Sequence, residues 1–488
     1  MDLKKFARSF KAMLSARALH MVASGLLTVV LTRYLLTQEE YGLLGAALAV
    51  LGVVQMFADL GIAKAAARYI TEYRETNPRQ VPHVVRTATV YRLIVIAVVC
   101  AAFAVSSIHA ARFVGQPELG PLLALGTGYL AVHSLFIYSQ VIFQGYNQVT
   151  YSAAIRAIGS VGRLVLAVAF VLVVGGAVGA LMGYIVGYGV GAVVGLYLVY
   201  AKCYRGAERD PDPEDGLTHK IAQYSVPLTA TRGANILDKR VDTILIGYFM
   251  NPIAVSYYYL SKQVVDFVNS PAASLGFTLS PAYGEHKAGG ETEHAAQIYE
   301  TTLQYVLLLY VPAAAGMILV AEPTLEIVFG EKWVGAAPVL QVFAVYVVLH
   351  AVTYVTGDTL DFLGRARARA YAKGGGSIAN FLLNLVMIPA YGVVGAAAAT
   401  VVTHGGLVVV TLWVIHDELS LAVGRLVRHL VGVLAVTGAM SLAVVTVLSN
   451  GGGVFALVAS ILAGVAVWAG LSVAGGLLNL RRVRTILS

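Results

Sequence analysis

Roughly fourteen long apolar stretches, each able to span a bilayer, run through this chain with loops between them too short for a second domain. Lipid offers no hydrogen bonds, so each stretch must satisfy its own backbone and is predicted to be a helix. Of the 488 residues, 58% are hydrophobic and 12% charged, and the mean hydropathy is +0.75. A soluble chain of this length carries about a quarter charged residues and divides into several domains. This chain turns its apolar surface to lipid. The expected spans are 12–36, 42–63, 84–108, 120–143, 153–174, 178–201, 221–249, 253–280, 300–321, 336–363, 374–390, 393–415, 427–448 and 453–478. The basic start (Lys4, Lys5, Arg8, Lys11) has the look of a signal peptide, but no small-residue cleavage site follows it, so the first stretch is kept as a span.

Orientation follows from Lys and Arg. Arg112 and Lys332 are the cations of the outer loops. Arg33, Arg92, Arg163, Arg232, Lys239, Arg240 and Lys262 fall inside spans, and the remainder of the 34 Lys and Arg lie on the other side. Both termini are therefore expected in the cytoplasm, in a multi-pass protein of the plasma membrane. The net charge of +8 then points to anionic lipid and not to nucleic acid. Cys100 and Cys203 fall at different depths, so neither a disulfide nor a metal site is expected from them.

The chain repeats itself. Gly145 matches Gly364, Ser160 matches Ser377, and Gly179-Ala180 matches Gly395-Ala396 at nearly constant offset. The repeat unit is six helices, an even number, so two lobes related by an axis along the membrane normal are expected. The predicted domains are a six-helix lobe over 1–201, a cytoplasmic linker over 202–220, a second six-helix lobe over 221–416, and an extra helix pair with a basic tail over 417–488. In the sixth span Gly179, Gly183, Gly187, Gly191 and Gly195 recur every fourth residue, a ridge on which another backbone can pack closely.

Charge inside the membrane is where function is expected, because each such group costs about 2.5–3.5 kcal/mol or more at mid-span. In the seventh span Arg232, Asn235, Lys239 and Asp242 share one stripe, flanked by Asp238 and Arg240. In the eighth, Tyr258, Tyr259, Lys262, Asp266 and Asn269 share a face, and Lys262 and Asp266 are spaced to pair. The first span carries Arg17, His20, Ser24 and Thr28, and the second carries Gln55 and Asp59. Spans one, two, seven and eight are thus the candidate cavity lining. Arg232, Asn235, Lys239, Arg240, Lys262, Tyr258, Arg17 and His20 are the candidate substrate ligands, suited to phosphate. Asp59, Asp238, Asp242 and Asp266 are the candidates for coupling to H⁺ or Na⁺, which the sequence permits and does not require. The competing reading of every one of these charges is a pair that fixes helix contacts. The chain has no P-loop, H-E-x-x-H or G-x-S-x-G motif, and its longest outer loop, 322–335, is too short for the catalytic loop of a membrane-embedded glycan polymerase or ligase. No catalytic residue and no bound cofactor is expected.

Three stretches resemble a known family. YLLTQEEYGLLGAALAVLGVVQMFADLGIAKAAARYI (34–70) and DTILIGYFMNPIAVSYYYLSKQ (242–263) look like its first hairpins in each lobe, through Tyr41-Gly42 and Asp59-Leu60-Gly61 in the former. NFLLNLVMIPAYGVVGAAAAT (380–400) resembles its N-x-x-x-N…P-x-x-G-x-x-G-A pattern through Asn380, Asn384, Pro389, Gly392 and Gly395. The chain is similar over nearly its whole length to the polysaccharide transporters, the O-antigen-type flippases of the multidrug/oligosaccharidyl-lipid/polysaccharide exporter superfamily. The resemblance implies an all-α, two-lobed transporter working by alternating access. It implies as substrate a polyprenyl-(pyro)phosphate-linked oligosaccharide moved to the outer leaflet, with glycan polymerases or glycosyltransferases as partners. A peptidoglycan-precursor flippase and a multidrug cation exporter share the fold and are the alternatives; an embedded polymerase or ligase is the alternative of another class.

Overall fold

The computed structural model of the chain describes residues 3–288 and 292–478, with the side chains of residues 3–12, 14, 227, 230–232, 234, 235, 237, 271–288 and 292 outside that description. Every regular element in it is helical: α1 (Leu3–Val30), α2 (Gln38–Asp59), α3 (Ile62–Thr76), α4 (Val81–Phe113), α5 (Leu119–Gly145), α6 (Val149–Val174), α7 (Gly176–Val199), α8 (Leu217–Phe249), α9 (Pro252–Ala288), α10 (Thr292–Leu319), α11 (Ala321–Thr324), α12 (Ala337–Phe362), α13 (Ala366–Leu419), α14 (Val423–Ser449) and α15 (Gly453–Ala474), with short π and 3₁₀ turns between some of them. Among the described residues 11 helices are long and apolar enough to cross a membrane. The chain is an all-α, multi-pass membrane protein.

The expected spans up to 178–201, and 300–321, 336–363, 427–448 and 453–478, each fall on one of these helices. The expected pair 374–390 and 393–415 is a single 54-residue element, α13, broken at Gly392 (φ 63°, ψ −145°). Pro389 lacks the N–H that would continue the ladder, and glycine tolerates the positive φ, so the expected turn is a kink. The expected seventh and eighth spans are helices α8 and α9, of spanning length. They are not among the 11, and in α8 Asp238, Lys239, Arg240 and Asp242 lower the hydropathy.

The chain forms two compact units, Met1–Ser256 and Tyr257–Ser488. The division falls near the start of α9, and α8 packs on α2 and α3 of the first unit.

In the first unit, sequence features become geometry directly. Thr37 and Glu40 form a capping box at the start of α2. Asp59-Leu60-Gly61 ends α2 and turns into α3, with Leu60 (φ 36°) and Gly61 (φ 68°) both left-handed. Gly61 also lets α8 approach: a Cβ there would lie 2.9 Å from the Ser225 carbonyl oxygen. The glycine ridge of α7 lies against α6 and α5. A Cβ on Gly183 or Gly187 would come within 2.4 Å of the Ala167 or Arg163 main chain, and one on Gly195 would meet the Ser139 hydroxyl at 2.3 Å.

The loop over 206–216 is held down as a strap across the α3–α4 elbow. Asp210 accepts from Asn77 (3.2 Å) and Gln80 (2.9 Å), its carbonyl meets His83 Nε2 at 2.8 Å, and Arg79 pairs with Glu208. Glu214 takes hydrogen bonds from Tyr73 and Lys220.

In the second unit α10 packs on both α12 and α14. Pro312 inside α10 provides no N–H for the Leu308 carbonyl, and the Trp468 indole of α15 donates to that oxygen at 2.9 Å. His429 Nε2 of α14 likewise meets the Gln304 carbonyl at 3.0 Å. These two contacts fasten the extra helix pair to α10.

Candidate functional site

Charge inside the first unit is of two kinds. The first is a closed network at the end of α2. The Arg92 guanidinium, 1% exposed, pairs with the Asp59 carboxylate and donates to the Asp59 carbonyl (2.7 Å) and the Ser134 carbonyl (3.0 Å). The same Asp59 oxygen accepts from Gln55 (3.0 Å) and Ser134 (3.2 Å). Three helices, α2, α4 and α5, are pinned at this point. Asp59, a candidate for ion coupling, is thus already engaged with a cation of its own chain.

The second kind is an arginine cluster where α1 packs on α6. Arg163 donates to the Ser24 hydroxyl (2.5 Å) and the Tyr188 hydroxyl (3.1 Å), and its guanidinium lies 5.2 and 5.7 Å from the ring centroids of Tyr184 and Tyr188. His20 Nδ1 meets the Ser160 hydroxyl at 2.8 Å. One turn before Ser160, Arg156 bonds the Gln140 side chain at 3.2 Å. Arg163 and Arg156 act on His20 electrostatically, and Arg17 acts on Arg156. Three guanidiniums and an imidazole thus share one neighbourhood, in which hydroxyl, amide and phenol groups bond Arg156, Arg163 and His20.

Arg240 of α8 comes close to this side of the unit. A Cβ on Gly52 of α2 would lie 3.0 Å from its Nε, and Arg240, Arg163, Arg92 and Asp59 all act on His133 of α5. Of the remaining α8 candidates, Asp242 is buried (1% exposed), Asp238 is half-buried and Lys239 is exposed, and each has partners. Arg232 and Asn235 lie in α8, but their side chains are outside the described residues.

In the second unit the Lys262 ammonium lies 5.1 Å from the Tyr258 ring centroid, and Asp266 is exposed. Tyr258 is buried against Phe343, its hydroxyl 3.4 Å from Thr400. The first unit therefore brings Arg17 and His20 together and sets Arg240 beside α2, while Tyr258 and Lys262 meet in the second. Sequence reasoning does not single out Arg156 and names Arg163 only as a charge inside a span. Their common signal was a spacing of seven, two turns of one helix face, ending on the face that meets the Arg17–His20–Ser24 stripe.

Comparison with known proteins agrees with this architecture. A family profile described as "Polysaccharide biosynthesis protein" matches residues 30–338. A protein of Haloferax volcanii, described as a probable low-salt glycan biosynthesis flippase, Agl15, is 26% identical over 160 residues, 33% of this chain and 34% of that protein. The teichuronic acid biosynthesis protein TuaB of Bacillus subtilis is 28% identical over 150 residues, 30% of each chain. The chain thus spans about a third of the length of these two relatives. An uncharacterized membrane protein of Methanocaldococcus jannaschii, MJ1068, is 21% identical over 398 residues, 78% of each chain. Among solved structures, the lipid II flippase MurJ in an inward closed conformation superposes with a TM-score of 0.76 at 13% identity, covering 96% of this chain and 98% of that one. An inward-facing MATE multidrug transporter of the MOP superfamily gives 0.68 at 15% identity, over 82% and 94%. At these identities the likeness is one of fold.

Proposed function

Because the chain belongs to the polysaccharide biosynthesis protein family, we propose that it is a flippase and not an enzyme: it carries a glycan joined through phosphate or pyrophosphate to a polyprenyl lipid from the cytoplasmic to the outer leaflet. The observation that carries this reading is the arginine cluster of the first unit, Arg156 and Arg163 with His20, and Arg240 nearby. Guanidinium cannot lose its proton and grips phosphate oxygens in a bidentate fork. The Ser24 and Tyr188 hydroxyls position Arg163, and Asp59 pairs with Arg92. A membrane helix gains nothing in stability from so many cations, so their neighbourhood is best explained by an anionic headgroup. The names of the relatives Agl15 and TuaB, a glycan flippase and a teichuronic acid biosynthesis protein, support the same class of substrate.

In this reading Arg232, Asn235, Lys239, Arg17, Tyr258 and Lys262 complete the path for phosphate and sugar, the two compact units rock in alternating access, and both termini lie in the cytoplasm. With the cytoplasm negative, an anionic headgroup moving outward is helped by about 2.3 kcal/mol per charge per 100 mV. The test is direct. The full chain is placed in liposomes with a fluorescent polyprenyl-pyrophosphate disaccharide, and the fraction of probe quenched by an impermeant reductant is followed. Protein-dependent equilibration of the two leaflets is expected. A rate equal to that of empty liposomes would overturn the proposal.

A further inference from the structure

An imidazole stacked on a tyrosine occurs at matching places in both units. In the first, Tyr129 and His133 of α5 stack at 5.0 Å with an interplanar angle of 10°, and Tyr188 of α7 stands edge-on to His133 at 4.9 Å. In the second, Tyr346 and His350 of α12 stack at 4.9 Å and 20°, and His404 of α13 stands edge-on to Tyr346 at 4.7 Å. Tyr129 to Tyr346 and His133 to His350 are each 217 residues, and Tyr188 to His404 is 216, the offsets of the Ser160 and Gly179 repeats. Where the first unit has a phenol, the second has another imidazole. His350 and His404 lie 6.1 Å apart between ring centroids, and Tyr354 adds a third ring 4.6 Å from His350. Both clusters sit midway along spanning helices, where an ionisable group is a functional site by default.

We propose that the His350–His404 pair is a proton-binding site that couples transport to the proton gradient. This rests on the transport reading above. His404 is already set in one tautomer. Its Nδ1 lies 3.1 Å from the Thr400 carbonyl, which can only accept, so Nδ1 carries the hydrogen and Nε2 holds the lone pair that takes a proton. The resulting imidazolium is a cation 4.7 Å from the centroid of the Tyr346 ring, within reach of cation–π stabilisation.

Among the described residues, the elements packed about the pair carry these groups. From α9, Lys262 reaches the cluster through Tyr258, whose hydroxyl meets Thr400. From α10, Tyr299 bonds Thr356, and Glu300 is taken by the Ala422 N–H and by Arg425. On α12 itself, Asp358 and Asp361 lie two turns or more beyond His350 with Arg369 beside them, and at its start Lys332 lies by Trp333. The two units thus differ in kind. Around His133 stand the guanidiniums of Arg92, Arg163 and Arg240 with the Asp59 carboxylate; the matching place in the second unit holds a second imidazole, which can switch.

Two readouts test this. In the full chain, ¹⁵N-labelled at histidine and held in lipid nanodiscs, the imidazole signal assigned to His404 is expected to titrate between about pH 5 and 8. Its signal disappears in His404→Gln and its midpoint moves in His350→Gln. A His404 signal that stays in one protonation state across that range would overturn the site. In liposomes with the fluorescent pyrophosphate probe, a gradient of about one pH unit is worth up to about tenfold in accumulation per coupled proton. Wild type and His429→Gln should respond to the gradient, and His404→Gln should not. A wild type indifferent to the gradient, or a responsive His404→Gln, would overturn the coupling. Failure of wild type to move the probe at all would sink the transport reading, and the titration would still decide the proton site.

Discussion

Asp59 and Arg163 are both charges in the membrane, and the structure gives them opposite work. Asp59 neutralises a buried Arg92, so Asp59→Asn should cost about 3–5 kcal/mol by leaving that guanidinium uncompensated. Thermal unfolding in detergent checks this, and Asp59→Asn with Arg92→Met should recover most of the loss. Arg163 bonds the Ser24 and Tyr188 hydroxyls where α1 meets α6. Arg163→Ala should lower flipping of the pyrophosphate probe by about ten- to a hundredfold, the loss of one charged hydrogen-bonding group, with membrane abundance unchanged and Arg163→Lys intermediate. If abundance falls in step with transport, the arginine is holding helices together. Helix periodicity alone puts Arg232, Lys239 and Asp242 on one side of α8, and the structure buries Asp242 while leaving Lys239 exposed. The partners of Asp59 were legible only as far as Gln55, four residues away. Arg92 is 33 positions on and joined by tertiary packing that no local pattern encodes. His133 reads in isolation as an ordinary core histidine; its meaning appears once the repeat is laid over the ring geometry.

At the level of the element, the chain uses small residues and freed carbonyls to join helices. Gly187→Leu should separate α7 from α6, because even a Cβ would lie 2.4 Å from the Arg163 nitrogen, and loss of folded protein in a fluorescence-detected size-exclusion profile is the expected outcome. Trp468→Phe should cost about 1–3 kcal/mol by stranding the Leu308 carbonyl that Pro312 cannot serve. The strap over 206–216 adds a pH dependence. The Glu214 carboxyl is held below its usual range by hydrogen bonds from Lys220 and Tyr73, and Glu214 in turn raises Lys220. A carboxyl lowered in the folded state contributes stability above its unfolded value, about pH 4.3, and loses it as pH falls through the lower folded value. The raised Lys220 contributes below its unfolded value, about pH 10.4, and loses this above it. Hydrogen exchange in the strap should therefore show constant protection across the neutral range, with release in acid and in Glu214→Gln at any pH. The glycine ridge was plain from spacing alone. The ordering of an acidic loop full of Asp and Pro was not, since its partners Asn77, Gln80 and His83 stand on a distant elbow.

For the molecule as a whole, hydropathy carried the fold class, and the diffuse motifs carried the family. Those motifs prove to be structural devices. Asp59-Leu60-Gly61 is a left-handed corner under α8, Tyr41-Gly42 is a close approach to the Pro252 carbonyl, and Pro389 with Gly392 is a kink. That is why they identify an architecture and say little about cargo. The packing of α8 on α2 and α3 could not be read from the chain, because it is tertiary and no local pattern encodes it. The central claim, outward movement of a lipid-linked glycan, is tested most directly in a strain lacking this protein. Lipid-linked oligosaccharide is extracted, and its leaflet is assigned by access to an added glycosidase. The account predicts a pool that builds up in the cytoplasmic leaflet, protected from the enzyme, and that returns to normal with the wild-type chain and not with Arg163→Ala. A pool already exposed on the outer face, or no pool at all, would contradict it.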